Sequence, residues 1–248
     1  MGIIRTGWPQ VRGNLAQELL VDPYVVWHAR ATDSTDFLLV GSTRDSRNLA
    51  RVYPSAPKHD VWLEAHDESA ASLLHGLPAR RSLFFQGATS LGLRLIQEAF
   101  VGAADVCGVF CVADRSRFQP VFRHEARKLE PRDWQALERC DAEYEPPGPG
   151  NDWERVYGSY KGDELAGYAW AWCADGMAEV HVKIRPEHWR QGYGQSVVSA
   201  ATEDMLRAND VVLYHATGEN NLASLRLCLS LGFTPIRTTF AFTGVRRA

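Results

Sequence analysis

In the stretch Glu179-Val180-His181-Val182-Lys183-Ile184, three ionisable side chains alternate with three apolar ones. Alternation of this kind places Glu179, His181 and Lys183 on one face of a β-strand. A carboxylate and an imidazole on one face can move protons at neutral pH, and histidine has the better intrinsic pKa for that task. The strand runs into Arg185-Pro186-Glu187-His188-Trp189-Arg190-Gln191-Gly192-Tyr193-Gly194, where a helix opens. Glycines there let backbone N–H groups turn inward, and the helix N-terminus adds its positive dipole end. The segment therefore reads as a phosphate cradle, to which Arg190 could add a charge-assisted contact. A dinucleotide site fits poorly. Gly192-Tyr193-Gly194-Gln195-Ser196-Val197 lacks a third glycine, and seven residues separate the strand end from Gly192. A strand-to-helix turn that holds no ligand is the bland alternative for this loop by itself.

A second element follows: Asn221-Leu222-Ala223-Ser224-Leu225-Arg226-Leu227-Cys228-Leu229-Ser230-Leu231-Gly232-Phe233. The first segment resembles the acyl-CoA loop of the GCN5-related N-acetyltransferase (GNAT) superfamily, a strand, a Pro, then Arg/Gln-x-x-Gly-x-Gly/Ala. The second resembles that family's N-x-x-[AS]-x-x-L-Y-x-x-L-G-F signature. The element order read over the second half, β-α-β-β-β-α-β-α-β, is the family's too, and the resemblance covers about residues 119–244. It implies an α/β fold built on a mixed sheet and an N-acetyltransferase that uses acetyl-CoA without a metal. Residues Arg190, Gln191, Gly192, Tyr193, Gly194, Gln195 and Ser196 would then face the pyrophosphate. The backbone of Val182, Lys183 and Ile184 would meet the pantetheine arm and thioester carbonyl, with the helix carrying Asn221 and Ser224 beside the arm.

Attack by an amine on a thioester needs the amine neutral, which invites a general base. The resemblance favours Glu179, acting directly or through water; His181 is the alternative. Two positions depart from the family pattern. Trp189 stands where an Arg or Gln would contact phosphate, leaving the backbone donors of Gln191 to Gly194. Cys228 stands where many relatives carry a tyrosine that protonates the leaving thiolate, so the acid is Cys228 or water. Read only as a helix residue, Cys228 is a buried structural thiol.

The acceptor has fainter traces. In Tyr168-Ala169-Trp170-Ala171-Trp172 the aromatics take one strand face, so Trp170 and Trp172 could form a wall for an apolar or cationic group, or simply core packing. The Pro/Gly-rich loop over 141–153 and its edge carry Asp141, Glu143, Glu145, Asp152 and Glu154, which could attract an amine or merely be solvated.

Composition sets the frame. The chain has 248 residues, 27 Lys+Arg against 30 Asp+Glu, a net charge of −3 and 45% apolar residues. That excludes wholesale disorder, and the slight acidity argues against a nucleic-acid partner. No run approaches the length of a membrane helix, MGIIRTGWPQ has no apolar h-region, and its Gly2/Thr6 match to a myristoylation pattern is weak. Cys107, Cys111, Cys140, Cys173 and Cys228 form no CxxC pair, which suits reduced thiols in the cytoplasm.

The first half, 1–115, reads as a helix over 9–21 reaching towards His28, followed by strands at 36–40, 49–53, 61–65, 82–85 and 106–112. Helices fall at 67–74 and 91–100. Its nearest analogue of the loop, Gly87-Ala88-Thr89-Ser90-Leu91-Gly92, lacks the motif. This half is similar in element order to a decayed GNAT fold, as in the N-terminal half of glycine-N-acyltransferase-like proteins. That resemblance implies a buttress or acceptor-shaping role without cofactor. Residues 116–248 form the catalytic half. The expected protein is a cytoplasmic acetyl-CoA-dependent N-acetyltransferase acting on a small-molecule or peptide amine, with a homodimer compatible with the reading. A non-catalytic acyl-CoA-binding or regulatory module is the rival, and a nucleotide-binding oxidoreductase a distant third.

Overall fold

The computed structural model describes residues 3–6, 37–41, 48–53, 59–77, 82–144, 154–174, 177–208, 211–217 and 221–247. The helix expected over 9–21, and Glu145 and Asp152 of the acidic loop, lie outside them. Two compact units are present: residues 1–110 with 217–220 and 236–248, and residues 111–216 with 221–235. Sequence reading places the division at 115/116 and keeps the C-terminal strand with the second half. In the structure that strand groups with the first unit, because β12 (Thr234–Arg246) pairs antiparallel with β5 (Leu83–Ala88), bringing Phe242 opposite Phe85.

In the first unit β1 (Ile3–Thr6), β2 (Phe37–Gly41), β3 (Leu49–Tyr53) and β4 (His59–Glu64) form an antiparallel meander. Strand β4 then pairs parallel with β5 after a connection through a 3-10 turn (Glu68–Ala70) and α1 (Ala71–His75). Helix α2 (Ser90–Ala99) follows β5 and buries Gly92, Leu95 and Ile96. These meet Leu63, Leu73, Leu74, Phe85, Phe100 and Phe242 in one apolar core. β6 (Phe100–Asp114) is longer than the 106–112 expected and carries the chain from the first unit into the second.

The second unit has strand order β11-β10-β9-β8-β7: β11 (Val211–Thr217), β10 (Met177–Ile184), β9 (Glu164–Ala174), β8 (Glu154–Lys161) and β7 (Arg127–Lys128). All pairs are antiparallel except β10 with β11. One sheet face packs on α3 (Trp134–Cys140), where Leu129, Leu137, Val156, Leu165 and Tyr168 form a core. The other carries Val180 and the small residues Ala169 and Ala171, against which α4 (Tyr193–Ala208) lies with Val197, Val198, Ala201 and Met205 buried. Helix α5 (Leu222–Ser230) ends at Gly232, whose φ of +81° suits glycine.

One expected strand is largely replaced. Of the residues 121–129, only Arg127–Lys128 enter the ladder. The reason is a competing set of partners. The N–H of Val121 donates to Ser199 Oγ at 2.9 Å, and those of Arg123 and His124 both donate to Ser196 Oγ at 3.0 Å. Two helix hydroxyls thus satisfy backbone donors that a neighbouring strand would otherwise have taken. Among the described residues Cys111, Cys140, Cys173 and Cys228 are free thiols, and no helix is long and apolar enough to cross a membrane.

The start of α3 is fixed by charge. Asp133 accepts two bonds from Arg127, at 2.7 and 2.8 Å, one from the Glu130 N–H at 2.9 Å and one from the Tyr160 hydroxyl at 2.9 Å. The Arg127 hydrogen bonds outweigh partial burial and hold the carboxyl far below the usual carboxylate range. A depressed folded-state pKa stabilises above the unfolded value near 4, and that stabilisation is lost as pH falls through the folded value. Asp133→Ala strands the arginine and the cap, and should cost about 2–4 kcal/mol by urea unfolding at pH 7. The gap between wild type and variant should close progressively below pH 4.

Candidate active site

Register assembles one sheet face. Across β10 and β9, Glu179 stands opposite Trp172, His181 opposite Trp170 and Lys183 opposite Tyr168. Across β9 and β8, Trp172 faces Glu154 and Trp170 faces Val156. Glu179 is 8% exposed. Its Oε1 lies 3.2 Å from His181 Nε2, within hydrogen-bonding reach, so the carboxylate can fix which imidazole nitrogen carries the proton. The His181 ring stacks on Trp170, with centroids 4.0 Å apart and planes 10° from parallel. Alternation alone puts Glu179 and His181 on one strand face and the tryptophans on another; register makes them one cluster.

Further side chains complete this face. Tyr144 stacks on Trp170 at 6.0 Å and donates to Glu154 Oε1 at 2.6 Å. Burial, then the Glu154 carboxylate, pushes its phenol well above the ordinary tyrosine range. Lys183 Nζ pairs with Asp141 Oδ1 at 2.7 Å, while the Tyr168 hydroxyl donates to Asp141 Oδ2 at 2.6 Å. Burial would raise Asp141, but these two partners and the Glu143 N–H hold it below the usual carboxylate range. The hydrogen bond to Asp141 raises Lys183 in turn. Asp141 and Glu154 are therefore engaged by phenols and an ammonium rather than lying in a purely solvated loop. Tyr144 and the role of Asp141 escape sequence reading because their partners are distant in the chain; Tyr168 is visible in the period-two aromatic pattern of β9.

The edge of β10 towards β11 is shaped differently. The parallel ladder runs from Met177↔Val211 to Val180↔Tyr214, four residues before β10 ends. Residues 181–184 keep their antiparallel partners in β9. Their opposite edge, including Val182, Lys183 and Ile184, is not laddered to β11 and can offer backbone groups to an extended ligand with amides of its own.

After β10 comes a 3-10 turn (Pro186–His188) and then the loop. Gly192 has φ +97° and Arg190 φ +59°, so the chain turns through two left-handed residues before α4. Gly192 is required twice over. A Cβ there would stand 2.4 Å from Arg123 Cδ as well as strain the backbone. Tyr193 is buried and stacks on His124 at 3.8 Å, and His124 Nε2 reaches Gln191 O at 2.8 Å. Gln195 accepts from Arg123 Nε at 3.0 Å and donates to Ser230 Oγ at 3.2 Å. A Cβ added at Gly194 would meet the side chains of Leu227 and Ile184 at ordinary contact distance. The backbone of residues 190–194 thus makes a left-handed turn into α4, while two side chains of the segment are engaged elsewhere. Ser196 is buried and occupied by residues 123–124, and Tyr193 packs inward. Trp189 is 61% exposed, its Nε1–H donating to Ile184 O at 2.7 Å.

The second motif also divides. Asn221 caps α5 by accepting from Ser224 N at 3.2 Å, and Ser224 Oγ lies 2.9 Å from the Tyr214 hydroxyl. Cys228 is fully buried, and its thiol meets that of Cys111; burial pushes it far above the ordinary thiol range. The structure does not bring Cys228 into the Glu179–His181 cluster. Replacing Gly192 by Ala should destabilise the protein by about 1–3 kcal/mol in chemical unfolding, since the new methyl displaces Arg123 and strains the turn.

Comparison with known proteins places this architecture. Residues 118–233 match the profile of the acetyltransferase (GNAT) family. No curated protein matches the sequence. Among solved structures, a Drosophila protein is similar over 98% of both chains at 12% identity and a TM-score of 0.65. A GCN5-related N-acetyltransferase from Sphaerobacter thermophilus is similar over 98% of this chain and 95% of its own, at 14% identity and TM-score 0.58. A tandem GNAT protein from the clavulanic acid biosynthesis pathway is similar over 99% and 98%, at 15% identity and TM-score 0.55. These likenesses extend the shared fold to the first unit as well. The splayed strands, the glycine turn and the capped helix all lie within residues 118–233, the segment that matches the acetyltransferase (GNAT) family.

Proposed function

We propose that the protein transfers an acetyl group directly from acetyl-CoA to the amine of a small molecule or peptide, in the cytoplasm. The observation that carries the reading is the position of the Glu179–His181 pair. It sits where β10 parts from β11, next to a stretch of β10 edge that is not laddered to β11. In this reading Gln191 to Gly194 hold the pyrophosphate through backbone N–H groups, with Arg190 adding charge. The edge of Val182 to Ile184 takes the pantetheine arm and polarises the thioester carbonyl by an N–H.

Glu179 accepts the proton of the attacking amine, either directly or by way of His181. The stacking of His181 on Trp170 favours the relay, since it fixes the ring against rotation. Water, rather than Cys228, returns a proton to the departing thiolate, because the Cys228 thiol is enclosed with Cys111. Trp170, Trp172 and Tyr144 form the acceptor wall. Asn221 and Ser224 contribute by setting the start of α5 beside the arm.

The first unit is proposed to be a GNAT-like domain that binds no cofactor and supports the second. Its turn after β5 favours this: Thr89 Oγ1 already takes the Gly92 N–H at 3.1 Å, a donor that a phosphate would need. Its fold-level likeness to a tandem GNAT protein is in keeping with the same reading.

Steady-state turnover of acetyl-CoA against an amine panel tests the proposal. Glu179→Gln should lower kcat by about 10²–10⁴-fold with CoA affinity little changed. His181→Asn should lower kcat. Tight CoA binding with no turnover of any amine, indifferent to Glu179→Gln, would sink the catalytic reading and leave an acyl-CoA-binding module.

A further inference from the structure

The turn that delivers the chain from β10 to the loop holds an unusual histidine. His188 is 4% exposed, yet neither Nδ1 nor Nε2 has a hydrogen-bond partner among the described residues. An unsatisfied buried polar group is costly, so native proteins rarely leave one without a purpose. The Nε2 atom is aimed at Glu164 Oε2, the first residue of β9, but stands 3.6 Å away, too far for a hydrogen bond. Glu187 stands beside it in the same turn. One ligand atom from each of Glu164, Glu187 and His188 lies within 4.8 Å of the others.

Arg185 organises the two carboxylates. Its Nη1 is 2.6 Å from Glu164 Oε1 and 3.7 Å from Glu187 Oε1. Glu164 therefore gives one oxygen to the guanidinium and turns the other towards the imidazole. Ligating carboxylates are commonly fixed in this way by a hydrogen bond from outside the coordination sphere. Two carboxylates and one guanidinium leave one net negative charge, which favours a dication without an excess of acid. The donor set, one imidazole nitrogen and two carboxylates, suits zinc better than calcium or magnesium, which prefer all-oxygen shells. Tetrahedral zinc with bonds of about 2.0–2.1 Å sets neighbouring donors about 3.3 Å apart. The observed 3.6 Å between His188 and Glu164 needs a shift of only a few tenths of an ångström.

We propose that Glu164, Glu187 and His188 bind a zinc-type divalent cation, with Arg185 as the positioning residue and water in the remaining position. The site is separate from the Glu179–His181 cluster and plays no part in the transfer chemistry. Its effect is mechanical: it ties the β8–β9 turn to the start of the glycine loop, so metal and loop ligand are coupled reciprocally.

The test uses untagged full-length protein stripped with chelator, titrated with Zn²⁺ by calorimetry and with Co²⁺ by absorption. The expected result is one saturable site per chain. Bound Co²⁺ should show visible bands without a thiolate charge-transfer band, despite the free cysteines. Glu187→Gln should weaken Zn²⁺ binding at least tenfold while leaving the circular dichroism and Tm of the metal-free protein unchanged. His188→Gln should do the same to binding, and the exposed Glu187 variant keeps the test valid if His188→Gln misfolds. No saturable binding, a thiolate band, or wild-type affinity in Glu187→Gln would each overturn the proposal.

Discussion

Parallel strands β10 and β11 hold together for four residue pairs and then separate, and the candidate site depends on that parting. A strand edge without a ladder partner exposes donors and acceptors that must be satisfied, which is a liability unless a ligand or solvent meets them. The second unit keeps the opposite side of β10 fully paired with β9, so the free edge is held on a rigid support. Glu179, His181 and Lys183 along β10 point onto the face they share with Trp172, Trp170 and Tyr168 of β9. The same eight residues thus present backbone to one partner and proton-transferring side chains to another.

The order of dependence can be followed outward from there. Helix α4 can lie close to the sheet because β9 offers Ala169 and Ala171 on that face. The close approach brings Ser196 and Ser199 to the backbone of 121–124, which in turn places His124 on Tyr193 and Arg123 beside Gly192. The loop is consequently shaped from beneath by a segment some seventy residues earlier in the chain. On the same face, Tyr157 and Arg155 of β8 both bind Asp204 of α4, Arg155 at 2.8 Å, fixing the later part of the helix against β8.

Much of this was legible in residue order, and the reason is that the legible parts are local. Alternation along β10 and the aromatic period of β9 depend only on the geometry of a single strand. The glycine turn and the Asn221 cap are likewise short-range devices. What escaped has partners far away in sequence. The strand expected over 121–129 gives way to hydroxyls of α4, which propensity cannot foresee. The C-terminal strand groups with the first unit because of its pairing with β5. Cys228 reads either as an acid from its place in the motif or as a buried thiol from its place on the helix, and its partner Cys111 in β6 lies far away in sequence. The pairing of Lys183 with Asp141 is of the same kind.

The serine contacts have one more implication. Backbone amides of residues 121, 123 and 124 are bonded to a helix rather than to a strand. In the hierarchy of local openings they therefore belong to the cooperative unit of α4, and a fluctuation that frees one frees the other. The first turn of α4 is the end nearest the glycine turn. Fraying there would release His124 and Arg123 together with the loop backbone, so the segment acts as a latch whose strength is set by two hydroxyl groups.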